Sequence, residues 1–217
     1  MDVLYLHGFA SGPNATKAHF FRQHFNELGV GILVPDLLPN EVDFTQMRPS
    51  RLLDDLTTII KYSGGQDLVV IGSSFGGFLG TWLAIIAPTR VQKLILLAPA
   101  LRWSYENIAD VFKTDIKLWQ ERGTLPVFHS RFNQDLPLAY SFVEDLARNP
   151  PPNFFQSPPP CPTLIFHGAH DGVVPLNWSQ EFAQGRANVT LRVVDSDHQL
   201  LTRLDEIWSE IRIFLHI

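Results

Sequence analysis

Leu68-Val69-Val70-Ile71-Gly72-Ser73-Ser74-Phe75-Gly76-Gly77-Phe78-Leu79-Gly80 is the stretch on which the fold turns. A short apolar run rich in β-branched residues meets G-S-S-F-G and continues at once into an apolar segment reaching Ala87. The run reads as a buried strand and the segment as a buried helix, with a sharp turn between them. Ser74 then sits at the apex of the turn, its hydroxyl exposed. Such a turn brings the chain very close to neighbouring strand and helix, and Gly72, Gly76 and Gly77 remove the Cβ atoms that would obstruct it. A rival reading is a membrane helix. No charge occurs between Asp67 and Arg90, and Gly72, Gly76 and Gly80 are spaced as GxxxG. The strand-turn-helix reading prevails if partners for the serine occur further along.

Composition narrows the classes. With 217 residues and 45% hydrophobic content, the chain can bury a full core and is expected to form one domain over 1–217. Seventeen basic against 22 acidic side chains leave a net charge of -5, with no basic stripe, so no nucleic-acid partner is expected. The one cysteine, Cys161, cannot form an internal disulfide. It lies between prolines, without an activating cation, and reads as a small inert thiol. Met1-Asp2-Val3-Leu4-Tyr5-Leu6 has no basic n-region, so no signal peptide, no transmembrane segment and a cytoplasmic location are expected.

Outward from the central stretch, strands alternate with helices. Val3 to Leu6 reads as a first strand, running into His7-Gly8-Phe9-Ala10-Ser11-Gly12-Pro13. A helix follows from about Ala15 to Leu28, with Asn14 as its cap and Gly29 as its stop. Gly31 to Val34 is a second strand and Arg51 to Tyr62 a second amphipathic helix, closed by Gly64-Gly65. Val91 to Leu97 is a fourth strand. The rhythm breaks over 101–160, where two helix-like pieces (Tyr105 to Gln120 and Leu136 to Arg148) end in two proline triplets. It resumes with a strand at Thr163 to Phe166, a helix near Leu176 to Gln184, a strand at Val189 to Val194 and a closing helix from Leu201 to Phe214. Leu204, Ile207, Trp208, Ile211 and Leu215 of that helix recur at helical spacing and read as core. Strand-helix alternation without hairpins predicts an α/β fold with a parallel sheet joined by right-handed crossovers.

A serine hydroxyl becomes a nucleophile when a histidine takes its proton and a carboxylate holds that histidine in the useful tautomer. Asp171 lies in His167-Gly168-Ala169-His170-Asp171-Gly172, just after the strand that follows 101–160. His198 follows the last strand in Asp195-Ser196-Asp197-His198. Ser74, Asp171 and His198 thus all fall beyond the carboxyl ends of parallel strands, where open α/β sheets assemble their sites. Ser73 is the alternative nucleophile, and Asp195 or Asp197 the alternative acids. The backbone N–H groups of Phe75 and Phe9 are the expected oxyanion donors, each worth about 3 kcal/mol in such sites. His7 is expected to shape that loop through hydrogen bonds. Asp36 reads as a turn residue. His167 and His170 beside Asp171 lack a further ligand at metal spacing, so no metal is expected.

Tyr5-Leu6-His7-Gly8-Phe9 with Ser11-Gly12-Pro13, Pro35-Asp36-Leu37, Gly72-Ser73-Ser74-Phe75-Gly76-Gly77, His167-Gly168 with Asp171, and Asp197-His198 occur in this order. In this the chain resembles the α/β-hydrolase superfamily and, more narrowly, the small bacterial esterases of the YqiA type, over nearly its whole length. The resemblance implies an open sheet of about six parallel strands in the order 2-1-3-4-5-6, with helices on both faces and a helical lid inserted after the fourth strand. It further implies serine-dependent hydrolysis of a small-molecule acyl ester through Ser74, Asp171 and His198, with no cofactor. Thioesterases and acyltransferases use the same triad. A lyase, a cofactor-free perhydrolase or a non-catalytic acyl-binding module would keep the fold. The insertion is longer and richer in aromatics than in the smallest members. Trp103, Tyr105 and Trp119 are its substrate-pocket candidates, against the alternative that most of its aromatics pack the insertion onto the sheet.

Overall fold

Residues 1–62 and 67–217 are described by a computed structural model. The Gly64-Gly65 helix stop lies outside the described residues. In chain order the elements begin with β1 (Asp2–Leu6), α1 (Thr16–Glu27), β2 (Ile32–Leu33), α2 (Glu41–Thr45), α3 (Pro49–Tyr62), β3 (Leu68–Ser73), α4 (Phe75–Ile86) and β4 (Val91–Leu97). The insertion carries α5 (Ile108–Phe112), α6 (Ile116–Arg122), β5 (Thr124–His129), β6 (Gln134–Ala139) and α7 (Ser141–Arg148). The chain continues through β7 (Thr163–Gly168), α8 (Leu176–Ala183), β8 (Val189–Val194), a 3-10 turn over Leu201–Arg203 and α9 (Leu204–Leu215).

Six parallel strands form one sheet in the order β2-β1-β3-β4-β7-β8. That is the 2-1-3-4-5-6 order, with β7 and β8 as fifth and sixth. Both faces are covered, and the strands show it. Val3 and Tyr5 of β1, with Val69 and Ile71 of β3, pack towards α1 and α9, whereas Leu4, Leu6 and Val70 pack towards α3 and α4. A period of two with apolar residues on both sides produces the continuous apolar strand. The charge-free stretch from Leu68 is therefore a strand and a helix within the core, and no helix among the described residues is long and apolar enough to cross a membrane. Gly29 adopts φ +71° just past α1, as a helix stop requires. Asn14 does not cap that helix; Ala15 is its N-cap, without a side-chain hydrogen bond.

The insertion differs from the helical expectation. Leu136 to Ala139 belongs to an antiparallel hairpin, β5 with β6, and only Ser141 onward is helical. Pro126 faces Pro137 in its register. Two prolines can oppose each other only at a pair that needs no ladder hydrogen bond, so a residue type that argues against strands sits here without cost. Leu136 and Leu138 alternate inward while Asp135 and Pro137 are exposed.

Two glycines show how tightly the central turn is built. A Cβ on Gly76 would stand 2.1 Å from the Leu6 carbonyl oxygen, and one on Gly72 would stand 2.4 Å from the Gly76 oxygen. Both obstacles are backbone, which cannot swing aside as a side chain can. Gly76→Ala is expected to lower stability by about 3 kcal/mol. Urea unfolding checks this: the midpoint falls at unchanged m.

Candidate active site

β3 ends directly in α4, and Ser74 between them takes φ 52° and ψ -114°. For a residue with a Cβ this conformation costs of order 1–3 kcal/mol and persists only where the surroundings enforce it. Here the Ser74 amide donates to the Leu97 carbonyl at 2.9 Å, and its own carbonyl accepts from Gly77 at 2.9 Å and from Ala100 at 3.1 Å. The serine is thus tied to both β4 and α4.

The loops after β7 and β8 bring Asp171 and His198 to it. The Ser74 hydroxyl donates to His198 Nε2 at 3.1 Å, and His198 Nδ1–H donates to Asp171 Oδ2 at 2.7 Å. Asp171 Oδ1 accepts from the Val173 and Val174 amides, both at 2.8 Å. The close approach of the two loops depends on Gly168, where a Cβ would lie 2.4 Å from the carbonyl oxygens of Ser196 and Asp197. Burial alone would raise the Asp171 pKa, but hydrogen bonds from His167, His198 and the Val174 amide outweigh it and hold the carboxyl well below its usual range. Asp171 is therefore ionised at neutral pH.

The alternatives separate cleanly. Ser73 is buried and hydrogen-bonds Tyr5. Asp195 pairs with His170 and Arg203 at the surface, while Asp197 accepts the Gln199 and Leu200 amides. His167 is fully buried. Its Nε2–H donates to the Val174 carbonyl at 3.0 Å and faces Asp171 Oδ2 at 3.2 Å, while the Ser179 hydroxyl meets Nδ1 at 2.8 Å. Sequence reasoning placed His167 only in a loop motif. Its position four residues before Asp171 was the available signal for a second donor on the carboxylate. Among the described residues no group of three or more His, Cys, Asp and Glu converges as metal ligands would.

The loop after β1 lies against Ser74, for the Cβ position of Gly8 is 3.7 Å from the Ser74 Cβ. At the first position of α4 the Phe75 amide has no helical acceptor, and among the described residues neither it nor the Phe9 amide donates to a loop carbonyl. His7 Nδ1–H donates to the Gly8 carbonyl at 3.0 Å, and burial lowers its pKa. The insertion grips the same loop. Ser130, in the β5–β6 turn, donates to the Ala10 carbonyl from its amide at 3.0 Å and from its hydroxyl at 2.7 Å. Arg131 donates from one nitrogen, Nη1, to both oxygens of Asp36 at 2.9 and 2.7 Å, giving that turn aspartate a tethering role. Cys161 is buried, and burial raises its thiol pKa.

Ser74 and His198 open into a cavity of about 1010 Å³, lined among others by Phe9, Trp103, Phe112 and Trp178. Trp103 packs at 5.1 Å from the Phe9 ring and 4.5 Å from the Phe75 ring. The other two pocket candidates are corrected by their surroundings. Trp119 is buried inside the insertion, its Nε1–H donating to the Leu138 carbonyl at 3.1 Å, and Tyr105 is exposed; neither lines the cavity. Phe112 and Trp178 hold the lining positions.

Residues 2–215 match the model of a family described as "Uncharacterised protein family (UPF0227)". The chain belongs to this family. Its fold is the α/β-hydrolase fold. It is 24% identical to the mouse (Mus musculus) palmitoyl-protein thioesterase ABHD10, mitochondrial, over 94% of its own length and 70% of that protein's. To the 2-hydroxymuconate semialdehyde hydrolase of Pseudomonas putida it is 27% identical, over 88% of this chain and 78% of that one. Among solved structures, alpha/beta hydrolase domain-containing protein 10 from mouse superposes with a TM-score of 0.80 at 21% identity, covering 99% of this chain and 89% of that one. Est1E from Butyrivibrio proteoclasticus superposes at 0.79 and 20% identity, over 98% and 86%.

Proposed function

We propose that this UPF0227 protein is a serine hydrolase of acyl esters acting through an acyl-enzyme at Ser74. The observation that carries the reading is the unbroken hydrogen-bond chain from the Ser74 hydroxyl through His198 to the buried carboxylate of Asp171. In the proposed cycle Ser74 Oγ attacks the acyl carbon while His198 Nε2 takes its proton. The oxyanion is held by the Phe75 and Phe9 amides. As the carbon–oxygen bond to the leaving group breaks, His198 returns the proton to the departing alkoxide, leaving the acyl group on Oγ. Water then attacks the acyl-enzyme, His198 taking its proton and passing one to Ser74 Oγ, so that a carboxylic acid leaves and the enzyme is restored. Every step is served by residues of this chain, without a metal or cofactor. The insertion, which supplies Trp103 and Phe112 to the cavity wall, acts as a lid over the acyl group.

A second reading, a thioesterase with the same residues, is favoured by the large aromatic cavity and by the thioesterase name of the ABHD10 relatives. The deciding experiment is fluorophosphonate labelling followed by paired acyl ester and thioester assays. One adduct on Ser74, lost in Ser74→Ala and slowed at least a hundredfold in His198→Ala, is expected. No adduct on folded protein would leave the fold as a binding module.

A further inference from the structure

Lys17 stands in the first turn of α1, its residue only 8% exposed, and it lines the same cavity as Ser74 and His198. Among the described residues no carboxylate lies within ion-pair distance of its ammonium group, and no hydrogen bond engages it. Two other cations line the cavity: Arg102 is already paired with Glu181, and Lys113 is exposed to solvent, where a charge is screened. The stem of Lys17 is thus enclosed while its ammonium, drawn on only at longer range by Asp171 and Asp197, makes no direct contact with a protein acceptor, which leaves that contact to a ligand in the cavity. The backbone around Lys17 has the same polarity. Ala15 and Thr16 line the cavity too, Ala15 makes no side-chain cap, and the first turn of α1 holds no acidic residue. The positive end of this helix therefore lies on the cavity wall with no acidic residue of its own first turn to offset it.

We propose that Lys17 and the opening turn of α1 form an anion subsite, so that the substrates turned over at Ser74 are acyl esters or thioesters bearing a carboxylate or phosphate. The inference rests on the hydrolase reading above for its substrate class, but not for the existence of the subsite. The charged groups acting on Lys17 are Asp171 and Asp197 from the two acid-bearing loops; Tyr5, His7, His198, Arg102, Asp110, Lys113 and Glu181 share the cavity wall with it. Burial lowers the Lys17 pKa to about 8, with Asp171 and Asp197 pulling it partly back up. Burial pushes the Tyr5 phenol above its ordinary value, against a smaller pull from its hydrogen bond with Ser73, so it stays neutral over the same range.

The test compares isosteric substrates that differ in one charge. Mono-4-nitrophenyl glutarate against 4-nitrophenyl pentanoate places the anion on the acyl side. The butyrate esters of 4-hydroxybenzoate and of its methyl ester place it on the leaving group. In one of the pairs the wild type is expected to favour the anion at least tenfold in kcat/KM, and Lys17→Met to lose that ratio. Should Lys17→Met not fold, the wild type decides, for its preference falls as pH rises from 7 to 9.5 and Lys17 loses its proton. A ratio near one in both pairs, or one that neither the variant nor pH changes, overturns the subsite. Calorimetric binding of monomethyl glutarate to Ser74→Ala, with and without Lys17→Met, separates the two readings. Lys17-dependent binding without ester turnover keeps the subsite and removes the hydrolase; binding indifferent to Lys17 removes the subsite.

Discussion

Asp171→Asn is expected to reduce ester turnover about 10⁴-fold with Ser74 and His198 both in place. The carboxylate environment gives the reason. Oδ1 accepts two amides, those of Val173 and Val174, and only an oxygen can fill that position. The asparagine must then turn its NH₂ towards His198 Nδ1, which becomes an acceptor. The imidazole proton moves to Nε2 and points at Ser74 Oγ, so the ring can no longer take the serine proton. A kcat/KM measurement at neutral pH checks the loss, and a fall of less than tenfold would mean that Asp171 does not set the tautomer. The same substitution has a signature in stability. Because the folded-state pKa of Asp171 is depressed, its ionised form stabilises the fold fully above the unfolded value of about 3.9. That contribution fades as pH falls below it towards the folded value. The stability gap between wild type and Asp171→Asn should therefore be constant above about pH 5 and close on acidification.

Ser74→Ala is expected to cost about 10⁴- to 10⁶-fold in kcat, leaving only what the oxyanion donors and binding contribute. The fold should be unharmed, because alanine keeps the Cβ and the backbone bonds that hold φ at 52° do not use the hydroxyl. Residual turnover within a hundredfold of wild type, measured on protein purified free of contaminating esterase, would move the nucleophile elsewhere.

The central sheet was legible in the sequence because β1, β3, β4 and β7 are buried on both faces and are written as apolar runs. The placing of Gly72 and Gly76 around Ser74 was legible for a harder reason: backbone stands where the Cβ atoms of the two glycines would be. Ser74, Asp171 and His198 could be singled out since each lies in the loop or turn just beyond a strand end. The hairpin of β5 and β6 was not legible, because prolines at opposed positions mask the alternation of Leu136 and Leu138. Trp119 and Trp103 look alike in sequence. Only the packing of α6 against β5 and β6 sends one into the interior and the other to the cavity. Lys17 reads as an ordinary solvated residue of an amphipathic helix, and nothing local reveals that the start of α1 faces Ser74. The deprotonating partner and its carboxylate leave a trace in chain order, whereas an isolated cation leaves none.

β4 and β7 lie side by side in the sheet although the whole insertion separates them in the chain. On the ribosome, where a chain lengthens by about 5–20 residues per second, Ser74 emerges long before the segment carrying Asp171 and His198. Until β7 and β8 dock, the serine is an ordinary alcohol on a half-built sheet. Under the proposed hydrolase reading, the serine gains its activating histidine only when the last strands arrive, so the nascent protein is chemically silent until then.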